Sequence, residues 1–498
     1  MPRLARVLMV QGTASSVGKS TLVAGLCRLF ARRGLRVAPF KAQNMSNNAA
    51  VCLGGGEIGR AQYAQAMAAG VEPTVDMNPI LLKPQGGASQ LVVRGRVAGT
   101  RTAAQSFGSQ AKPDRQQLWQ VVVDSLDSLR STYDLVIAEG AGSPAEINLR
   151  DRDLVNMRVA LHAAPDADVL LVGDIDRGGV FGALLGTWDW LTREERALIR
   201  GFVLNRFRGD ASLLAPAPAL LEQRTGIPVL GVVPFLEGID LPEEDAASLT
   251  STPARVDASV HIAVIHLPHV SNFDEWQPLG AEPGVWLRYV QSVEQLRAPD
   301  LVVLPGSKAT VPDLLWMRER GLDARVRWLA EHGTPVLGVC GGFQMLGEVV
   351  CDPLHSESEQ EVAQGIGLLP FRTTLGGDKI VRRVNGHFTS GLAGAWAGLQ
   401  LHTVVGYEIH TGRSSGAEGL RASPLLDLKD RTDGVVRGNV AGTYVHGVME
   451  QPAARHALLR TLAAARGLNW APTTPRGDAF DRLADVLEAS LQLEVVGI

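Results

Sequence analysis

A chain of 498 residues is too long for one hydrophobic core, so two large domains are expected. Hydrophobic residues make up 45% and charged residues 20%, the balance of an ordinary globular protein. The net charge of −4 excludes a general nucleic-acid binder, which carries a basic excess.

In chain order, Arg6–Val10 reads as an apolar strand that breaks at Gly12. A secretory leader would run on to a small-residue cleavage site, but here the run enters GTASSVGKST, residues 12–21. That segment follows a strand and precedes a helix, the context of a phosphate cradle. Glycines let the backbone N–H groups face phosphates, Lys19 reaches the terminal phosphates, and the Ser20 hydroxyl holds Mg²⁺ at the helix N-terminus. Gly12, Thr13, Gly18, Lys19, Ser20 and Thr21 are therefore the expected nucleotide-binding residues. Thr13 stands where the usual motif has its first glycine, and Gly12 precedes it. The following helix spans Lys19–Arg33, with Leu22, Val23, Leu26, Leu29 and Phe30 on one face and Gly34 closing it.

Further apolar runs at Leu35–Phe40, Asp134–Ala138, Val169–Val172, Gly201–Leu204 and Val229–Val233 alternate with helical stretches. This implies a doubly wound α/β fold around a mainly parallel sheet. Glu139 closes the strand DLVIAE, where a carboxylate coordinates Mg²⁺ directly or through water, or is simply an acidic turn residue. Asn205 closes GFVLN, placed either for an adenine edge or as a helix cap.

The pattern collapses over Glu243–Ser259, so residues 1–245 form the first expected domain, 246–258 a linker and 259–498 the second. Strands then recur at His261–Leu267, Leu301–Leu304 and Val336–Val339. From Pro452 the chain reads as helical, with Phe480, Leu483, Val486, Leu487 and Leu491 in a stripe. Residues 335–347, PVLGVCGGFQMLG, place Cys340 in a sharp strand-to-helix turn, a nucleophile elbow. The helix N-terminus favours thiolate, the N–H of Gly341 faces a developing oxyanion, and Gly306 of LVVLPGSKAT offers a second donor. The thiol needs a base. His446 in VAGTYVHG is the expected one, and His410 in GYEIHTG competes with it. The other cysteines, Cys27, Cys52 and Cys351, lack this setting. With no C-x-x-C spacing, the four exclude a disulfide framework and structural zinc, and suggest a reducing compartment. No apolar stretch approaches the roughly 20 residues that span a bilayer, so a cytoplasmic chain without a membrane partner is expected.

At these residues the chain resembles known families. PVLGVCGGFQMLG, LPGSK and the late histidine resemble the class I glutamine amidotransferases. GTASSVGKST, VIAEGAG and LNRFRGD resemble the dethiobiotin synthetase-like P-loop amidoligases. Both halves in this order, with PFKAQNMSNNA, EGAGSPAEINLRDRDLVNM, GDIDRGGVFG and GYEIHTG, resemble the cobyric acid synthase type of the CobB/CobQ family. The resemblance implies a carbon–nitrogen ligase that uses ATP, Mg²⁺ and glutamine, with no tightly bound cofactor. Its substrate would be adenosylcobyrinic acid a,c-diamide, amidated at its b, d, e and g carboxylates. Lys41, Gln43, Asn44 and Asp153 would then face the γ-phosphate and the substrate carboxylate. Arg94, Arg96, Arg150, Arg152 and Arg158 are further cations suited to carboxylates. The sister type that amidates the a and c carboxylates is the near alternative. A ParA/MinD-like switch ATPase is a remoter one, but it needs a lysine where Ala14 stands and has no use for a cysteine elbow. The histidine is followed by Gly447 and Val448 in place of the usual H-P-E, which leaves the third member of the cysteine site open, with Glu450 nearby. The sequence is also compatible with a homo-oligomer.

Overall fold

The computed structural model describes residues 4–85, 88–102, 112–236, 258–416, 422–472 and 477–497. The apolar runs of the first half become the strands of one parallel sheet. These are β1 (Arg6–Gly12), β2 (Val37–Phe40), β3 (Leu135–Glu139), β4 (Ala167–Asp174), β5 (Ile199–Phe207) and β6 (Val229–Pro234). Their spatial order is β6-β5-β4-β1-β3-β2. Every residue of β3 and β4 is buried, as expected of strands covered on both faces. β1 lies between β3 and β4, so the order reverses beside its C-terminal end, where open α/β sheets bind ligands. α1 (Lys19–Arg32) starts from that point. A smaller sheet of the same unit joins Gln43–Met45, Ile80–Gln85, Ala88–Val93 and Arg96–Thr102.

The second principal sheet contains β7 (Val260–Ile265), β8 (Val285–Val290), β9 (Leu301–Leu304), β10 (Val336–Val339), β11 (Val435–Arg437) and β12 (Val440–Thr443). Its order is β8-β7-β9-β10-β12-β11, parallel except for the antiparallel edge pair β11–β12. Alternation along β7 builds a core on each face: Val260, Ile262 and Val264 on one side, Ala263 and Ile265 on the other. α2 (Gly341–Leu346) follows β10 directly. Among the described residues no helix is long and apolar enough to cross a membrane.

The packing divides the chain into two units, with boundaries that differ from the sequence expectation in two places. The first unit is Met1–Ser46, Glu57–Pro242 and Arg476–Ile498; the second is Asn47–Gly56 and Glu243–Pro475. The terminal stripe, expected with the second half, belongs to the first. Leu483 and Leu487 of the helix Ala479–Ser490 are buried so closely on α1 that a methyl group at Gly25 would meet Leu487 at 2.5 Å. Ion pairs from Arg28 to Asp481 and from Arg32 to Asp485 flank that apolar seam. Residues 47–56, expected in the first half, belong to the second. There Ala49 N–H donates to Asn272 Oδ1 at 2.9 Å, and Arg383 Nε donates to the Val51 carbonyl at 2.9 Å. Of the expected linker, residues 246–257 lie outside the described residues.

Candidate active sites

The first site forms where β1 turns into α1. Thr13 N–H donates to the Val172 carbonyl of β4 at 2.9 Å, which anchors the loop to the sheet. Gly18 caps α1 in a left-handed conformation, φ 92°, that a side chain would strain. Lys19 Nζ donates to the carbonyls of Ala14 and Gly142 at 2.9 and 3.0 Å, so the ammonium is held across the loop mouth. A side chain at Gly12 would lie 2.8 Å from that ammonium. Ser20 and Thr21 follow in the first turn of α1. Asn205 Nδ2 donates to the Val17 carbonyl at 2.8 Å, so one side of its amide braces the loop.

Glu139 lies at the centre of the site. Its Oε1 accepts from Lys41 Nζ at 2.7 Å and from Ser20 Oγ at 2.8 Å, and its Oε2 accepts from Gln65 Nε2 at 2.7 Å. Burial is the largest influence on this carboxyl and opposes ionisation. The Lys41 charge and the hydrogen bonds from Lys41, Gln65 and Ser20 together outweigh it and hold the pKa below the ordinary value. Gln65, on the helix Arg60–Ala69, had no signal in the sequence. Cys27 is buried, and burial with the nearby Glu139 charge pushes its thiol far up, which suits a packing role.

The substrate-facing expectations separate. Gln43 and Asp153 line a cavity of about 390 Å³ that also touches Ser15 and Gly142 beside the loop. Asn44 is buried and donates to Gln62 Oε1 at 3.0 Å. Asp153 Oδ1 accepts from the N–H groups of Val155 and Asn156 at 2.9 and 2.8 Å, while burial pushes its carboxyl up. Among the arginines, Arg150 pairs with Glu195, Arg94 pairs with Asp76, and Arg158 lies 4.0 Å above the Trp119 ring. Arg96 is exposed on its strand, and Arg152 lines the cavity.

The second site draws on three neighbouring strands. β10 ends at Cys340, β9 leads to Gly306, and β12 leads to His446, so all three lie past the C-terminal edge of one sheet. Cys340 has φ 51° and ψ −110°, a strained conformation for a residue with a side chain and the mark of an elbow. Gly342 makes this turn feasible, because a methyl there would lie 2.0 Å from the Leu304 carbonyl oxygen of β9. Gly341 opens α2 beside Ser307, and Gly306 approaches the imidazole so closely that a methyl would meet His446 Cε1 at 2.9 Å.

His446 is the histidine brought to the sulfur. Its Nδ1 lies 3.0 Å from Glu275 Oε1, whose other oxygen accepts from Gly447 N–H at 2.9 Å. Burial, the largest influence, favours the neutral ring. The Glu275 carboxylate and the Cys340 sulfur, each also hydrogen-bonded to the imidazole, push its pKa up to about 10. His410, the competing base, instead donates from Nδ1 to the Gly412 carbonyl at 2.8 Å and stacks on Tyr444. Burial pushes its pKa down to about 4. Glu275, in the turn Phe273–Trp276, fills the place that the sequence left open, and it lies 171 residues from His446. No spacing rule links two residues that far apart. Beside the elbow, Thr310 N–H donates to Glu357 Oε2 and Thr310 Oγ1 donates to Gln344 Oε1 at 3.0 Å. Burial raises the Glu357 carboxyl to about 7.

Comparison with known proteins gives both halves a family. Residues 8–249 match the CobQ/CobB/MinD/ParA nucleotide binding domain, and residues 261–454 match the CobB/CobQ-like glutamine amidotransferase domain. A protein of Sorangium cellulosum named cobyric acid synthase is 47% identical, covering 98% of this chain and 97% of that one. The same name is carried by relatives in Chloroflexus aurantiacus, 49% identical over 98% of this chain and 97% of theirs, and in Pelotomaculum thermopropionicum, 46% identical over 99% and 96%.

Proposed function

The chain belongs to the cobyric acid synthase family, and we propose that its two sites carry the two half-reactions of one glutamine-dependent amidation. In the second unit, the Cys340 thiolate attacks the glutamine carboxamide, with Gly341 and Gly306 N–H groups facing the oxyanion. The His446 imidazolium gives its proton to the leaving nitrogen, ammonia departs, and water then hydrolyses the glutamyl thioester to glutamate. Glu275 holds the imidazole in position and keeps it charged. Beside the elbow, the part-buried Glu357 and the buried Gln344, both hydrogen-bonded to Thr310, offer polar groups to the charged ends of an amino-acid substrate.

In the first unit, ATP binds at Gly12–Thr21, with Lys19 at the terminal phosphates and Asn205 holding the loop. A substrate carboxylate attacks the γ-phosphorus, ADP leaves, and the acyl phosphate formed accepts ammonia with loss of phosphate. A free carboxylate is too poor an electrophile for ammonia, so the phosphate is what makes the oxygen leave. Mg²⁺ carried by the nucleotide fits the Ser20 hydroxyl, since that ion takes few protein oxygens and several phosphate oxygens. It would neutralise phosphate charge there. With Lys41 2.7 Å from its Oε1, Glu139 acts on such an ion through Ser20 or through water. The acid substrate enters by the cavity that Gln43 and Asp153 line, while Lys41 reaches the site through Glu139 and Asn44 is held within by Gln62.

The substrate of this reading is adenosylcobyrinic acid a,c-diamide, amidated at b, d, e and g. The two-site reaction is carried by the buried Cys340–His446–Glu275 line, for which a switch ATPase has no use, in a chain that also holds a phosphate loop; the substrate is taken from the family. Incubation with ATP, Mg²⁺, glutamine and the diamide tests it by mass. Each step replaces OH by NH₂, so four successive losses of about one mass unit are expected. An unchanged mass, or a stop at one amide, would reject it.

A further inference from the structure

The 390 Å³ cavity beside the phosphate loop is at the small end of ligand pockets, which run from about 300 to 1,000 Å³. It therefore suits one edge of a large ligand. Leu82, Leu91 and Leu118 supply an apolar wall. The acids in the lining are committed within the protein. Glu146 accepts from Ser143 N–H at 3.1 Å, Asp153 accepts from the Val155 and Asn156 N–H groups, and Glu195 pairs with Arg150, which is thereby neutralised. Arg152 is different: its guanidinium makes no hydrogen bond or ion pair with any described residue. A half-buried guanidinium without a counter-charge favours an anion that presents two oxygens in one plane.

We propose that Arg152 docks a peripheral carboxylate of the polycarboxylate substrate, with the apolar wall taking the adjoining macrocycle edge. This inference rests on the functional reading above and names the group that recognises the substrate's acid arms. Arg152 is a binding residue and takes no part in phosphoryl transfer. Amides cannot form the same ion pair, so the site holds acid arms in preference to finished ones.

The test compares wild type, Arg152→Ala and Arg152→Lys as full chains, with saturating ATP and ammonium chloride in place of glutamine. Loss of a charge-assisted pair should raise the KM for adenosylcobyrinic acid a,c-diamide on the order of tenfold to a hundredfold in R152A. The kcat and the KM for ATP should stay near wild type, and R152K should recover part of the loss. Added salt should weaken corrinoid binding more in wild type than in R152A. A wild-type KM in R152A, or a loss confined to kcat, would overturn the inference while the functional reading stands. A wild-type enzyme that leaves the corrinoid mass unchanged would overturn the reading, and the inference with it.

Discussion

Cys340 depends on partners that the sequence announces unequally. The residue itself was legible, because glycines flanking a cysteine between a strand and a helix are what a tight elbow turn requires. His446 was legible as one of two histidines near strand ends; hydrogen-bond partners separate them, with His410 turned to a backbone carbonyl and His446 to a carboxylate. Glu275 was invisible, since a triad is defined in space and its acid member can come from any loop. Its effect is open to measurement. His446 has a folded pKa of about 10 against an ordinary 6.5, so it stays protonated through the neutral range. In Glu275→Gln the glutaminase rate should lose its alkaline limb at a lower pH than in wild type, toward the ordinary histidine range. A pH profile checks this, and an unmoved limb would count against Glu275 as the group that charges the ring. Linkage adds a second sign. A proton bound more tightly in the folded state stabilises fully below about pH 6.5, and that contribution is lost as pH rises through about 10. Chemical denaturation of wild type should therefore show a steeper decline across that window than E275Q. At the other site, Lys19→Ala should abolish ATP-dependent amidation while glutamine hydrolysis persists, read from separate glutamate and ADP assays.

At the scale of elements, the parallel strands were legible because a strand buried on both faces is apolar over most of its length, as Leu135–Ala138 and Val169–Gly173 are, with acids only near the ends. The strands of the smaller sheet were not. Segments such as Gln43–Met45 and Ala88–Val93 mix buried and partly exposed positions over a few residues and leave no clear period. The terminal helix was read correctly as an amphipathic stripe, but a stripe does not say which surface it covers. Two substitutions follow from the packing. Leu487→Ala removes a fully buried side chain from the seam on α1 and should cost about 2–5 kcal/mol of stability in urea unfolding. The glutaminase rate at permissive temperature should be unchanged. Gly342→Ala places a methyl 2.0 Å from the Leu304 carbonyl oxygen, so α2 must shift away from β9 and carry the elbow with it. Glutamine hydrolysis should fall by orders of magnitude in that variant, with ATP binding by the first unit retained.

For the molecule as a whole, the central claim is a division of labour: one unit makes ammonia and the other spends ATP to make a carboxylate reactive. The halves were legible because each motif sits in the strand–turn–helix context that its chemistry requires. The exact partition was not, because contacts between distant segments decide that residues 47–56 and the last helix exchange sides. The most direct measurement is amidation by Cys340→Ala with each nitrogen donor in turn. Product mass from adenosylcobyrinic acid a,c-diamide is followed with glutamine and then with ammonium chloride. The account predicts no amidation with glutamine and near wild-type amidation with ammonium. Equal loss with both donors would contradict it.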